Sequence, residues 1–428
     1  MDEQKPLENK QGEPGKKTEK SEYSFMQETI KDENSRGKKC RKDLLRMAGL
    51  GVVFGVCACI SFSALKPWLD KKFPGDSQEV VIPKEKEEDN TEEKKADTSN
   101  NTEQTLDIDN YRELQKAMND VATEAGKSVV EIIGVSGEQD WTDESYDNKN
   151  SVSGLIIADN GQELLVYGKT SILKDAKEIH IRFSDGNTEQ ASVKKKDESL
   201  GFAIYAVSGS SIEQSTWTQI STAKLGSSNS VQKGDAVAVL GKPFGYAGAV
   251  GFGTIANSRN ELDADDGSYQ LLCTDIGAAE DGTGVIVNLS GEVVGIIDQS
   301  ISDNSSKRLV TGYGISGLKS EIELLSNGQA VPYVGIRGLD VTAEIEAQGI
   351  PNGVYVQTVE PDSPAMAAGI QSGDIIWQVS GESVSSMSSY EKAVLEEKSD
   401  AVIRVKGKRK GADGYVDLDF TVNVGDKK

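Results

Sequence analysis

Two polar stretches hold the residue types from which a hydroxyl nucleophile and its base could be built. They are Gly168–Ser171 and the glycine-rich acidic turn Glu280–Gly284. A serine or threonine hydroxyl needs a base to remove its proton, and a lysine can be that base. Lys169 could therefore activate Ser171 or Thr283. A catalytic lysine must be buried to lose its proton, whereas Lys169 lies in a polar, loop-like run that predicts a solvated side chain.

The chain has a single histidine, His180. In the segment Glu178–Phe183 it alternates with apolar residues, so it faces the polar side of a predicted strand. This pattern predicts a solvent-facing histidine rather than a catalytic base. One histidine without clustered cysteines or carboxylates leaves no zinc site. We expect no metal and no cofactor.

Length and composition limit the class of protein. A chain of 428 residues predicts two or three domains. Its 44 glycines and few aromatic residues favour turn-rich β structure over a helical bundle. The net charge of −22 argues against a nucleic-acid partner. Three of the four cysteines lie in or beside one apolar segment, so the sequence predicts no disulfide framework.

The N-terminal part of the chain predicts a membrane anchor. Residues 1–46 are polar and predict a disordered cytoplasmic tail. Residues 47–65 carry no charge, close to the ~20 apolar residues that cross a bilayer as a helix. More basic residues precede this segment than follow it. The positive-inside bias therefore predicts a single-pass cell-membrane protein, with its C-terminal domains outside the cytoplasm.

Two alternatives for this segment stay open. A cleaved signal peptide has a shorter basic start and a shorter apolar run. Residues Val56–Cys59 faintly resemble a lipoprotein cleavage site, with Cys59 as the lipid acceptor. After the apolar segment, residues 66–106 predict an acidic, extended and mobile linker.

The remainder of the chain predicts two folded units. Residues 107–325 begin with a helical pattern at Tyr111–Ala125 and continue as short apolar runs, such as Gly251–Ala256, separated by turns. Many short strands at this spacing favour a barrel or sandwich. Leu318–Leu325 predicts a short helical connector. Residues 326–428 predict a separate α+β unit.

Several segments, in their order and spacing, resemble the HtrA/DegP family. They include Ser153–Gly161, Gly234–Gly245 and Val287–Ile296. The resemblance implies a mainly β fold, in which a chymotrypsin-like double β-barrel precedes a PDZ domain, behind the predicted transmembrane helix. Family members commonly form trimers, which makes a homo-oligomer an expectation.

The same resemblance places the catalytic triad of the family on residues that lack its chemistry. The histidine position falls on Ser171, the aspartate position on Gly201 and the serine position on Gly282. An alignment shifted by one residue would put Thr283 at the nucleophile position, but it supplies no histidine. We therefore expect no catalytic residue, with Thr283 as the fallback nucleophile.

The C-terminal unit keeps the motifs of a peptide-binding PDZ domain. PDZ domains bind an extended peptide as an added strand and hold its carboxylate with backbone amides. The resemblance assigns that loop to Tyr333, Val334, Gly335 and Ile336. Tyr390 and Val394 lie on the helix expected to line the groove, and ordinary core packing is an equal alternative for both. The list of predicted peptide-binding residues is therefore Tyr333, Val334, Gly335, Ile336, Tyr390 and Val394.

Together these features predict a membrane-anchored, extracytoplasmic HtrA-like pseudoprotease. It would bind peptide C-termini or unfolded envelope proteins, in quality control or as a scaffold. One alternative is an active serine-type endopeptidase that uses Thr283. Another is a structural role, in which the barrel is only an oligomerisation platform.

Overall fold

The computed structural model describes residues 78–83, 108–136, 150–302 and 308–427. The predicted tail 1–46 and the predicted transmembrane segment 47–65 lie outside these ranges. Among the described residues, no helix is long and apolar enough to cross a bilayer. The membrane anchor therefore stays a prediction from the sequence.

The first half of the large unit is a closed barrel of antiparallel strands. Its elements are α1 (Ile108–Gly126), β1 (Val129–Val135), β2 (Ser151–Asp159), β3 (Glu163–Lys169), β4 (Glu178–Arg182), β5 (Thr188–Asp197), β6 (Phe202–Ser208) and α2 (Gln214–Trp217). The strands close in the order β1-β2-β3-β6-β5-β4. Side chains that alternate along each strand fill the interior, among them Ile132, Ile156 and Tyr205.

The second half is another closed barrel. Its strands are β7 (Ala236–Lys242), β8 (Ala249–Ala264), β9 (Gly267–Gly277), β10 (Thr283–Asn288), β11 (Val293–Asp298) and β12 (Leu309–Gly314). They close in the order β10-β11-β12-β9-β8-β7. Val239, Ile286 and Ile297 belong to its core. The two barrels confirm the predicted mainly β architecture.

One strand of the second barrel is much longer than the sequence predicts. The apolar pattern predicts a strand at 251–256, whereas β8 has 16 residues. Its second half, 257–264, is polar and therefore lacks the apolar alternation that identifies a strand. It pairs with β9 as far as Ala264 and Gly267. The hairpin consequently ends in a two-residue turn made of Asp265 and Asp266.

A helix after the second barrel lies against a segment from far upstream in the chain. This helix, α3, spans Ile315–Ser326 and buries Leu318 and Ile322. The side chain of Asn327, just after this helix, accepts a hydrogen bond from the Val80 amide and donates one to the Val80 carbonyl, each at 2.9 Å. Ile82 is 5% exposed. Residues 78–83 of the predicted linker are therefore packed against the barrel rather than extended into solvent.

The C-terminal unit is a smaller α+β domain. Its elements are β13 (Pro332–Tyr333), β14 (Ile336–Asp340), α4 (Ala343–Glu346), β15 (Val354–Val359), α5 (Pro364–Ala368), β16 (Ile375–Val379), β17 (Glu382–Ser383), α6 (Met387–Leu395), β18 (Val402–Gly411), β19 (Gly414–Asn423) and β20 (Gly425–Asp426). The main sheet has the order β14-β15-β16-β18-β19, which leaves β14 at an edge. Helix α6 packs its buried face, Tyr390 and Val394, into the core of this domain.

Candidate functional site

A cleft of about 390 Å³ lies between the two barrels. Both polar stretches identified from the sequence line it, because Lys169 and Ser171 come from the first barrel and Gly282 and Thr283 from the second. Gly201 is not among the lining residues. Its carbonyl accepts a hydrogen bond from the amide of Thr170 at 2.9 Å, so it lies next to the backbone of Ser171. The three positions aligned with a triad are thus near one another.

The Thr283 hydroxyl is engaged in holding the barrels together. Thr283 is only 5% exposed. Its Oγ1 accepts a hydrogen bond from the Ser153 amide at 2.9 Å and donates to Ser153 Oγ at 3.5 Å. The Ser153 hydroxyl in turn donates to the Thr283 carbonyl at 3.2 Å. A nucleophile must be free to meet substrate, and this hydroxyl is committed to the opposite barrel.

The backbone around Gly282 has no room for a side chain. A Cβ atom there would lie 2.7 Å from the Pro243 carbonyl oxygen and 3.2 Å from the Ala279 carbonyl oxygen. Contacts under 3.0 Å require something to shift, and here the obstacle is backbone. Gly201 has a φ of 75°, in the left-handed region that strains an ordinary side chain. Both glycines are therefore integral to the local backbone.

Lys169 is an ion-pair residue, so the predicted solvated side chain is wrong. Its Nζ atom lies 2.5 Å from Asp298 Oδ1 and donates to Ser300 Oγ at 3.2 Å. The side chains of Lys169 and Asp298 are 15% and 2% exposed. Asp298 follows an apolar strand, and nothing in the sequence singled it out. The Asp298 carboxylate thus fixes the position of the Lys169 side chain.

A second buried lysine, which the sequence did not reveal, lies behind the cleft. Lys242 ends β7 and is 2% exposed. Its Nζ atom donates to the Ser151 carbonyl at 3.0 Å. Burial lowers the pKa of Lys242, while the charges of Asp281 and Glu131 act in the opposite direction. Its position at the end of a fully apolar strand was the one available signal.

His180 lies on β4 and is not among the residues that line the cleft. Its Nε2 atom is 3.3 Å from Glu178 Oε2, on the same strand, and its side chain is 24% exposed. The histidine is thus partly exposed on the barrel wall, as its alternation with apolar residues predicts.

A second site lies in the C-terminal domain, where the loop Tyr333–Ile336 leads into the edge strand β14. Gly335 has a φ of 90°. A Cβ atom at this residue would lie 2.4 Å from the Ser363 Cβ. The resulting turn points three successive amides, those of Val334, Gly335 and Ile336, at one place. Converging amides of this kind form an anion-binding concavity.

The carboxylate of Asp266, from the β8–β9 turn, occupies this concavity. Asp266 Oδ2 accepts hydrogen bonds from the amides of Val334 and Gly335, both at 2.7 Å, and Oδ1 accepts from the Ile336 amide at 3.1 Å. Tyr390 Oη donates to Oδ1 at 2.9 Å. Burial raises the pKa of Asp266, and the three amide hydrogen bonds oppose this rise.

The predicted peptide-binding residues therefore divide into two groups. Val334, Gly335 and Ile336 contact an anion through their amides, and Tyr390 contacts it through its hydroxyl. Val394 lies in the domain core and is 1% exposed. The sequence did not reveal Asp266, and the only available signal was the acidic turn Asp265–Gly267 at the end of a polar strand.

Family models match both folded units. Residues 152–296 match the trypsin-like peptidase domain, and residues 332–420 match the PDZ domain. The first match falls on the two barrels, and the second falls on the α+β domain that holds the Asp266 contact. The chain therefore combines a trypsin-like peptidase fold with a PDZ domain.

The chain is also similar to curated proteins that are named as serine proteases. The serine protease Do-like HtrA of Lactobacillus helveticus is 25% identical over 61% of this chain and 66% of its own length. The serine protease Do-like HtrB of Bacillus subtilis is 25% identical over 60% of each chain. A probable periplasmic serine endoprotease DegP-like of Marinomonas is 27% identical over 64% of this chain and 58% of its own length. The chain thus spans about three fifths of these relatives.

Solved structures show the same fold. The HtrA-type protease AlgW with tripeptide has a TM-score of 0.52 at 20% identity, covering 72% of this chain and 96% of that one. AlgW with decapeptide has a TM-score of 0.50 at 20% identity, covering 73% and 99%. The chain therefore shares the fold of these HtrA-type proteases, which is the fold that the sequence resemblance implies.

Proposed function

We propose that this protein is a membrane-anchored HtrA-like pseudoprotease, which binds peptide C-termini or unfolded envelope proteins through its PDZ domain. Its role would be in protein quality control or as a scaffold for an active protease. Residues 47–65 would anchor it, with the folded domains outside the cytoplasm. Homo-oligomers, trimers by analogy with the family, are compatible with this role.

One observation is the main support for proposing that the protein has no protease activity. At the position aligned with the catalytic serine stands Gly282, where backbone oxygens leave no space for a Cβ atom. The aligned base and acid positions hold Ser171 and Gly201, neither of which can take up a proton at neutral pH. Removal of triad members leaves only binding and oxyanion effects.

The charge of the cleft supports the same assignment. Glu280 and Asp281 are exposed and line it. Acyl transfer develops negative charge on an oxyanion, which donors and positive charges stabilise. Two carboxylates beside that position disfavour the transition state.

The competing function is proteolysis by Thr283. Its test is casein digestion by the full-length protein in detergent, beside Thr283→Ala and Thr283→Ser. We expect no cleavage by any of the three. Cleavage that Thr283→Ala abolishes and Thr283→Ser retains would overturn the pseudoprotease assignment, because only a catalytic hydroxyl distinguishes these variants in that way. Cleavage equal in all three would indicate a contaminating protease.

Membrane anchoring has a separate test. Extraction of isolated membranes at alkaline pH removes peripheral proteins and leaves spanning proteins in the pellet. We expect the full chain in the pellet and a form without residues 47–65 in the supernatant. Recovery of both forms in the supernatant would contradict an anchor at this segment.

A further inference from the structure

The contact of Asp266 reproduces the chemistry by which a PDZ domain holds a peptide end. In that mode, backbone amides of a loop bind the terminal carboxylate. Here the three amides of Val334, Gly335 and Ile336 already share one carboxylate, and Tyr390 adds a fourth donor. Asp266 is 5% exposed, so its carboxylate has exchanged water for these four partners.

The backbone of Asp266 also makes a contact that a bound peptide would make. Its amide donates to the Ile336 carbonyl at 2.8 Å. A peptide added to the edge of a sheet makes main-chain hydrogen bonds of this type to the strand beside it. One residue thus supplies both a carboxylate in the loop and a main-chain bond at the start of β14. The remainder of β14 pairs only with β15 among the described strands, so no described strand pairs with its other edge.

The hairpin is fixed in this position by more than one contact. Arg337 Nε, on β14, lies 2.6 Å from Asp265 Oδ1 and 3.3 Å from Glu360 Oε1. Asp266 itself has a φ of 59°, which is uncommon for a residue other than glycine but is tolerated best by aspartate and asparagine. The side chain that enters the loop is thus of the type that suits its own backbone.

We propose that Asp266 is a built-in ligand of the PDZ carboxylate loop, and that a peptide with a free carboxyl terminus binds by displacing it. The proposal rests on the peptide-binding function proposed above and deepens it, because it makes that site closed at rest. Opening requires the β8–β9 turn to leave the loop, after which the peptide can extend along the edge of β14 away from β15.

The loss of peptide affinity caused by this competition can be estimated. A tethered ligand competes at an effective concentration of about millimolar or higher. The apparent affinity of a peptide falls by the fraction of molecules in which the loop is free. A loop that is free in about one to ten per cent of molecules weakens peptide binding roughly 10- to 100-fold.

The test compares peptide binding by the full-length chain and two variants. The probe is a set of fluorescent heptapeptides that differ in the last residue, each made with a free and an amidated C-terminus. Asp266→Gly removes the carboxylate and suits the positive φ, and Asp266→Asn keeps the shape without the charge. We expect about 10- to 100-fold tighter binding of free-acid peptides by Asp266→Gly, a smaller gain with Asp266→Asn, and no gain for amidated peptides.

Asp263→Asn is the matched control, because Asp263 is an exposed acid of the same hairpin outside the loop. It should bind like the parent. Equal affinity of the parent and Asp266→Gly for free-acid peptides would overturn the internal ligand and leave the peptide-binding function intact. Failure of every variant, including Asp266→Gly, to bind any free-acid peptide would overturn the peptide-binding function and the competition together.

A measurement without peptide tests the Asp266 contact separately from peptide binding. Hydrogen exchange of the amides at 334–336 should be faster in Asp266→Gly than in the parent, because the carboxylate that accepts their hydrogen bonds is gone. Unchanged exchange would contradict the contact itself, whatever the peptides do. Circular dichroism of each variant establishes that it is folded before either experiment is interpreted.

Discussion

The cleft between the barrels and the loop of the PDZ domain differ in what would keep each from acting. At the cleft, the proposed inactivity rests on the chemical groups themselves, since the resemblance aligns Ser171, Gly201 and Gly282 with the triad positions. At the loop, the donors are complete, and three amides and a tyrosine hydroxyl converge on one carboxylate. There the obstacle is an occupant, Asp266, that belongs to the same chain.

These two conditions respond differently to substitution. A hydroxyl can be introduced at Gly282 only if the neighbouring backbone shifts, because a Cβ atom there would lie 2.7 Å from the Pro243 carbonyl oxygen. An internal ligand can be removed by changing one side chain at the end of a hairpin. The second barrel therefore contacts the PDZ domain through the β8–β9 turn, which places Asp266 in the loop.

The largest effect that we expect comes from breaking the loop at Gly335. Gly335→Ala places a Cβ atom 2.4 Å from the Ser363 Cβ and 2.7 Å from Tyr333 Oη, at a φ of 90°. Clash and backbone strain together should destabilise the PDZ domain by about 3 kcal/mol or more. Thermal unfolding measures this loss, and binding of free-acid peptides should disappear with it.

Gly349→Ala is the matched control for that prediction. Gly349 has a nearly identical φ of 88°, but nothing lies within 4 Å of a Cβ atom there. Only the backbone strain remains, which costs about 1 kcal/mol. Equal losses for both substitutions would mean that the packing of Gly335 against Ser363 does not matter.

The next largest effect is expected at the cleft, from separating Lys169 and Asp298. Asp298→Asn leaves a largely buried ammonium without its carboxylate, which should cost roughly 3 kcal/mol. Replacing both partners, as in Lys169→Met with Asp298→Asn, should recover most of the loss, since no unpaired charge remains. Urea denaturation of the three proteins measures the difference. A double variant as unstable as the single one would contradict a dominant role of the buried charge.

A smaller effect should follow from an attempt to rebuild the nucleophile. Gly282→Ser brings a Cβ atom to 2.7 Å from the Pro243 carbonyl oxygen, which should cost roughly 2 kcal/mol by overpacking. No casein cleavage should appear, even when Ser171→His is added. Gly126→Ser serves as the control, because nothing lies within 4 Å of that glycine, and it should change stability by less than about 0.5 kcal/mol. Cleavage by the rebuilt cleft would show that only the side chains were missing.

The sequence predicts a feature when neighbouring residues produce it, and it fails when the feature depends on residues far apart in the chain. The barrels were predictable because their core strands are short apolar runs separated by turns, as in 285–287 and 293–297. The loop at 333–336 was assigned by the family resemblance, and its glycine suits the positive φ found there. The polar half of β8 was not predictable, since 257–261 are polar and only Leu262 and Ala264 pack against the core, which leaves no apolar period.

The same reasoning explains the side chains that were missed or misplaced. Lys169 has polar neighbours in sequence, but its partner Asp298 is 129 residues away, and ion pairs at that separation leave no local pattern. Asp266 and the loop amides are separated by about 70 residues. Only the folded chain brings these partners together, so no local sequence pattern identifies either contact.

A further effect concerns pH and a cluster of buried ionisable groups between the barrels and the C-terminal domain. Glu321, on α3, is 2% exposed, and Tyr167 Oη lies 3.4 Å from its Oε1. Burial, and next the charge of Asp197, raise the pKa of Glu321 from 4.5 to about 8. Nearby, Lys427 lies 3.8 Å from Asp197 and donates to Tyr269 Oη, on β9, at 3.3 Å.

The sign of the pH effect follows from the raised pKa. Between pH 4.5 and about 8 the folded protein holds a proton that the unfolded chain has released, so stability falls as pH rises through this window. We expect the melting temperature to fall by about 10 °C between pH 5 and 9 through this group. Glu321→Gln should reduce that slope, whereas Glu382→Gln, which removes an exposed acid, should leave it unchanged. Equal slopes in the parent and Glu321→Gln would show that this carboxyl does not cause the pH dependence of stability.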